Sequence, residues 1–129
     1  MNNELKPGIT LELTEEVTSD KTASAIGSGM LPVYATPAMI ALMENAACNS
    51  VSDYLEDGQG TVGTSMNVQH VSATAEDRQV RAVATLTEVD GRRLVFDVEA
   101  FDDAGLIGKG THERFIITNE KFLAKAKNK

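Results

Sequence analysis

Within "ATPAMIALMENAACNSV", residues 35–51, an apolar helical stripe contains one carboxylate, Glu44. It follows Ile40 by four residues and precedes Val51 by seven, which points it within roughly 40° of both on a 3.6-residue wheel. A carboxylate on a buried face is costly unless it is paired or protonated. Held away from water, it suits a general base or a nucleophile. The plain alternative is a structural glutamate bonded to backbone at the helix edge.

His70 is the natural companion. Counting by twos from Val62 through Thr64, Met66 and Val68 puts it on the apolar face of a strand. A satisfied core histidine is the plain reading, yet the chain holds only two histidines. If a sheet wraps the helix, Glu44 and His70 converge. Thr36, just before Pro37, is accounted for as a helix N-cap. Eight residues separate it from Glu44, about 12 Å of helix rise, so no compact triad fits on one helix face. Two separate substrate contacts, or two subunits, would resolve that distance.

Further along, Gly63 interrupts a strand that should be filled. It marks a bulge, or a place where backbone approaches a ligand. In "GKGTHER", residues 108–114, two glycines leave room, and His112 and Arg114 could meet an anion; a solvated edge explains the same pattern. Cys48 sits among apolar helix neighbours with no base nearby, which indicates packing. A single cysteine and two histidines make a metal site improbable.

The elements that must position these residues are legible in the periodicity. "ITLELTEEVTSD" alternates as a first strand, and "ASAIGSGMLP" reads as loop or a short helical turn. The Thr36-Pro37 helix runs to about Leu55, where "EDGQG" stops it. Four strands follow. The first is "TVGTSMNVQHVSAT", with Val62, Met66 and Val68 on one face and Gly63, Ser65, Asn67 and Gln69 on the other. The second is "QVRAVATLTEV". Asp90-Gly91 turns it into "RRLVFDVEAF". "DDAG" leads to "LIGKGTHERFIIT", and the basic tail "KFLAKAKNK" reads as frayed. Strand, long helix, then four antiparallel strands is an α+β layout: a hot-dog fold, one long central helix wrapped by a five-stranded antiparallel sheet, in a single domain over 1–129. Its open edges call for a partner subunit.

Bulk properties narrow the function. With 19 acidic and 12 basic residues the formal net charge is -7, which repels a phosphate backbone and argues against nucleic acid. No apolar run reaches membrane-spanning length, and the N-terminus lacks the pattern of a signal peptide, so no membrane association and a cytoplasmic location are expected. Arg92 and Arg93 follow the Asp90-Gly91 pair; an exposed hairpin tip explains them better than an anion site.

Taken together, "VYATPAMIALMENAA", "GQGTVGTSMNVQHVSAT", "TEVDGRRLVFDVEAFDDAGLIGKGTHERFI" and "EKF" resemble the fluoroacetyl-CoA thioesterase-like group of hot-dog thioesterases. The likeness spans about Val33 to Phe122. It implies hydrolysis of a short acyl-CoA to a carboxylate and coenzyme A, with no cofactor beyond the coenzyme A of the substrate. It implies catalytic roles for Thr36, Glu44 and His70, and substrate contacts by Gly63 and Arg114, at the interface of a homodimer. The segment before Ala35-Thr36, "TASAIGSGMLPVY", is shorter than the lid of the fluoroacetyl-specific enzyme and has no Phe, and Pro37 replaces a Gly. The reaction class therefore carries over, and fluoroacetyl selectivity does not. A non-catalytic acyl-CoA-binding module and an enoyl-thioester hydratase are the alternatives that the same residues allow.

Overall fold

The computed structural model describes residues 4–129. Five strands form one antiparallel sheet: β1 (Thr10–Glu16), β2 (Gln59–His70), β3 (Gln79–Asp90), β4 (Arg93–Asp102) and β5 (Gly105–Thr118), in the order β1-β3-β4-β5-β2. A short helix, α1 (Ala23–Ile26), precedes the long α2 (Thr36–Val51), and α3 (Asn119–Lys127) closes the chain.

Helix α2 lies in the concave face of the sheet. Met39, Met43, Ala46, Ala47 and Val51 are fully buried against Ala82, Ala84, Leu94, Phe96 and Val98. Alanines on both layers let backbone approach backbone, and the larger side chains fill the remaining space. Each fully buried Leu, Met or Phe adds about 1.5–3 kcal/mol over its exposed state. The wrapped-helix architecture expected from the strand and helix periods is therefore present.

Four details depart from the sequence reading. The α-helix ends at Val51 and passes into a 3-10 turn, Ser52–Tyr54, rather than continuing to Leu55. The tail is helical: α3 places Phe122 and Leu123 in the open, among lysines. In the β3–β4 hairpin, Asp90 pairs with Arg93, so the two turn residues are Gly91 and Arg92. Gly91, with φ 63°, takes the first turn position, one residue later than an Asp-Gly pair would have it.

The fourth departure matters most for the site. The β2–β5 register shifts between Gly63 and Ser65, leaving Thr64 as an extra residue. A bulge of one residue reverses which side chains face inward. Met66 opposes the buried His112, and Gly63 opposes the buried Arg114, so both face the helix. Val62 opposes the exposed Phe115 on the outer face. Counting by twos across position 64 assigns Val62 and Gly63 to the wrong faces.

Candidate active site

Two polar clusters flank α2. The first sits at its N-terminus. The segment leading into the helix is held by Tyr34 N–H to the Thr74 carbonyl (2.8 Å) and Ala35 N–H to the Lys21 carbonyl (2.9 Å). Residues 71–78 cross the end of the sheet from β2 to β3 and supply Thr74. Ala35 is the N-cap and Thr36 the first helical residue, with no side-chain capping bond. The expected capping role of Thr36 is thus replaced. Its hydroxyl lies 2.8 Å from His70 Nδ1. Position N1 projects the hydroxyl sideways from the helix, toward the end of β2.

His70 is half-buried, edge-on to Tyr34 with ring centroids 6.4 Å apart. Its Nε2 is buried and has no hydrogen-bond partner among the described residues. Burial pushes the imidazole below its ordinary pKa, so the ring is neutral at pH 7 and can accept a proton. Tyr34 donates to Glu15 Oε2 at 2.7 Å, and burial, then that bond and charge, hold its phenol far above the ordinary range. Tyr34 is therefore a fixed wall. A cavity of about 280 Å³ opens here, lined by Tyr34, Thr36, His70, Val71 and Ala73.

The second cluster lies two turns along α2. Glu44 sits on the rim of the buried stripe with its side chain 43% exposed, rather than in the fully apolar setting its spacing suggests. Its Oε2 is 3.8 Å from Arg114 Nη1. A Cβ added to Gly63 would stand 2.6 Å from that same oxygen. Gly63 therefore gives the Glu44 carboxylate the space over the β2 backbone. Arg114 is 6% exposed and tied down: Nε donates to Thr61 Oγ1 (2.8 Å), Nη2 to the Thr61 carbonyl (2.9 Å), and Nη1 lies 3.2 Å from His112 Nε2.

His112, 1% exposed, contacts the Ser65 carbonyl through Nδ1 at 2.8 Å and packs beside Phe96. Sequence reasoning offers it, with Arg114, either as an anion contact or as part of a solvated edge; it is instead buried, against that arginine. His112 and Arg114 share a face of β5 by the period of two, and the bulge at Thr64 is what brings Gly63 to that same face together with Met66.

Within one chain, Thr36 and His70 meet, as do Glu44, Gly63 and Arg114, but the two groups do not converge. Eight residues of α2, about 12 Å of rise, separate them. The expected Glu44–His70 encounter does not occur inside a single subunit. Among the described residues no group of three His, Cys, Asp or Glu side chains could hold a metal ion, and no helix is long and apolar enough to cross a membrane.

Residues 17–120 match the model of the fluoroacetyl-CoA-specific thioesterase family. A curated relative, the fluoroacetyl-CoA thioesterase of Streptantibioticus cattleyicolor, is 45% identical over 97 residues, 75% of this chain and 70% of that protein. A solved structure of a fluoroacetyl-CoA thioesterase superposes with a TM-score of 0.93 at 36% identity, covering 98% of both chains. A Thermus thermophilus member of the thioesterase superfamily gives a TM-score of 0.89 at 29% identity, over 99% of this chain and 94% of that one. The sheet and helix have the hot-dog arrangement of these proteins, and the chain belongs to the fluoroacetyl-CoA-specific thioesterase family, a family of thioester hydrolases.

Proposed function

We propose that the chain hydrolyses short acyl-CoA thioesters at a composite site between two copies, Thr36 and His70 coming from one and Glu44, Gly63 and Arg114 from the other. The observation that carries this reading is the Glu44 carboxylate, held over the side-chain-free Gly63 beside a buried arginine. A thioester carbonyl lying over Gly63 is within reach of a base or nucleophile with no side chain in between.

The second copy answers the gap of about 12 Å along the helix. Strand β2 has 12 residues and is an edge of the sheet. An unpaired edge of that length invites pairing with another strand. A two-fold axis crossing β2 at Asn67 sets His70 of one copy level with Gly63 of the other, since each lies three ladder positions from that residue once the bulged Thr64 is set aside. Closed two-fold symmetry makes two such sites per dimer.

In the reaction, Glu44 activates water, or attacks the carbonyl carbon directly to form an anhydride that water then opens. The carbonyl carbon gains a C–O bond and the C–S bond breaks. The coenzyme A sulfur leaves as a thiolate and takes the proton that the attacking water gives up, passed through the Thr36–His70 pair. The water's O–H stays on the acyl or anhydride carbon, which leaves as the carboxylate. Hydrolysis in ¹⁸O-water under single-turnover conditions separates the routes, because only the anhydride leaves label in Glu44. A short acyl group is supported by relatives: variants of the fluoroacetyl-CoA-specific enzyme have been captured with fluoroacetate and CoA and with acetyl-CoA. The absence of Phe from "TASAIGSGMLPVY" favours short acyl chains in general over fluoroacetyl alone.

Complementation tests the composite site. Glu44→Ala and His70→Ala variants, each silent in free-thiol release from short acyl-CoAs, are mixed under conditions of subunit exchange. Random pairing restores about a quarter of wild-type activity, since half the dimers then hold one intact site. A mixture as silent as its components would overturn the shared site. Wild type with no turnover on any short acyl-CoA would overturn the activity.

A further inference from the structure

The His112–Arg114 pair is built around one hydrogen position. Arg114 has five N–H donors and no acceptor. Its 3.2 Å contact with His112 Nε2 is a hydrogen bond only if that nitrogen carries a lone pair. The 2.8 Å contact of His112 Nδ1 with the Ser65 carbonyl is a hydrogen bond only if Nδ1 carries the proton. Both conditions are met together by the neutral Nδ1–H tautomer and by no other form. The opposite tautomer sets a hydrogen against the guanidinium and a lone pair against the carbonyl. The imidazolium sets two cations 3.2 Å apart in a buried pocket.

We propose that His112 is a positioning residue for the thioesterase reaction: as a buried, neutral Nδ1–H imidazole it accepts from Arg114 and so aims the remaining guanidinium donors at Glu44 over Gly63. This rests on the catalytic placement of Glu44 proposed above. Thr61 occupies Nε and Nη2, and His112 occupies one hydrogen of Nη1. The other hydrogen of Nη1 remains on the nitrogen nearest Glu44, 3.8 Å from its carboxylate. Without the His112 acceptor the planar guanidinium keeps only its two Thr61 bonds along one edge, Nη1 can tip about that edge, and a carboxylate over an open glycine follows it. The groups facing the ring are consistent with permanent neutrality. Phe96 packs on it from β4, Met66 opposes it from β2, and Arg114 and Glu44 bring the nearby charges, from β5 and α2. Burial lowers its pKa most, partly opposed by the Ser65 bond; Arg114 lowers it further and Glu44 raises it.

Three substitutions separate positioning from packing. His112→Gln keeps an acceptor where Nε2 sits. His112→Asn keeps a donor for Ser65 but does not reach Arg114. His112→Phe fills the space with neither. The expected result is a kcat near wild type for Gln and about a tenfold to hundredfold loss for Asn and Phe, with KM changed less than about threefold, as befits a misplaced reacting group. Equal kcat in Gln and Asn, or full kcat in a folded Phe variant, would overturn the proposal.

A second readout is independent of turnover. With two histidines in the chain, ¹⁵N-imidazole NMR assigns each through a His70→Asn control. His112 should show a protonated Nδ1 and stay neutral where a free imidazole is charged. Slowly exchanging Arg114 Nη–H signals should persist in the Gln variant and vanish in Phe. A protonated Nε2, or Arg114 signals indifferent to position 112, would overturn the proposal even if wild type hydrolyses acyl-CoA. The expected signals in a protein with no turnover would instead sink only the activity.

Discussion

The two ends of the Thr36–Glu44 stretch of α2 are built in opposite ways. At Thr36 the hydroxyl is exposed, a single hydrogen bond ties it to His70, and the imidazole's other nitrogen has no partner among the described residues. At Glu44 the carboxylate rests against a closed network in which Arg114 and His112 are almost wholly buried and bonded to Thr61 and Ser65. The first end has spare hydrogen-bonding capacity beside a cavity. The second has its capacity spent on holding one charge in place. A group that must exchange protons needs the former, and a group that must attack or polarise from a set position needs the latter.

Substitutions at the two ends should therefore differ in size. The largest effect is expected at Glu44→Gln, which removes the carboxylate charge while keeping the shape. Loss of a positioned acid–base group costs about 10²–10⁴-fold, and kcat for thiol release should fall at least that far with little change in thermal midpoint, because the side chain is half exposed. Thr36→Val, tested alongside, should lose less. Equal losses would erase the distinction between the two ends.

An intermediate effect is expected at Gly63→Ala. The new Cβ meets Glu44 Oε2 at 2.6 Å, so the carboxylate must move. The obstacle is the tip of a flexible side chain, so the fold should persist. A displacement of about 1 Å can cost about a hundredfold in rate, and kcat should drop by that order while circular dichroism and melting remain those of the parent. A Gly63→Ala enzyme of normal kcat would show that the close approach of carboxylate to backbone is unimportant.

The smallest effect is on stability. Burial depresses the folded-state pKa of both His70 and His112, so below about pH 6.5 the unfolded chain binds more protons than the folded one. Stability is full above that value and declines as pH falls toward the depressed pKa. His112→Gln, which cannot titrate, should flatten the decline of the melting temperature between about pH 6.5 and 5 more than His70→Asn, since His112 is the more deeply buried. Identical slopes in wild type and the Gln variant would mean that His112 gains no proton on unfolding.

Much of the machine is legible in one dimension. Ile9, Leu11 and Leu13, then Val80, Ala82 and Ala84, alternate with period two; residues 36–51 carry a helical apolar arc; Asp90-Gly91 marks a turn. Those patterns fix a wrapped helix because each apolar face has one place to go. Glu44 stands out for the same reason, as a charge beside that arc. His112 stands out only as an anion contact or an edge residue, because a histidine two residues from an arginine in a polar-looking strand carries no sign of burial.

Local pattern thus sets the five strands and the long helix, that a hairpin turns beside Gly91, and that a glutamate and a histidine border the core. Long-range packing settles that Thr36 bonds His70 instead of capping its helix and that Gly63 faces the carboxylate. The physical reason is the ladder. Side-chain direction in a strand has period two, and one bulged residue, Thr64, inverts every assignment on one side of it. Where such a bulge falls is settled by hydrogen bonds to β5, the last strand in chain order; in the sequence Gly63 marks the place only as one of two readings, a bulge or the approach of a ligand.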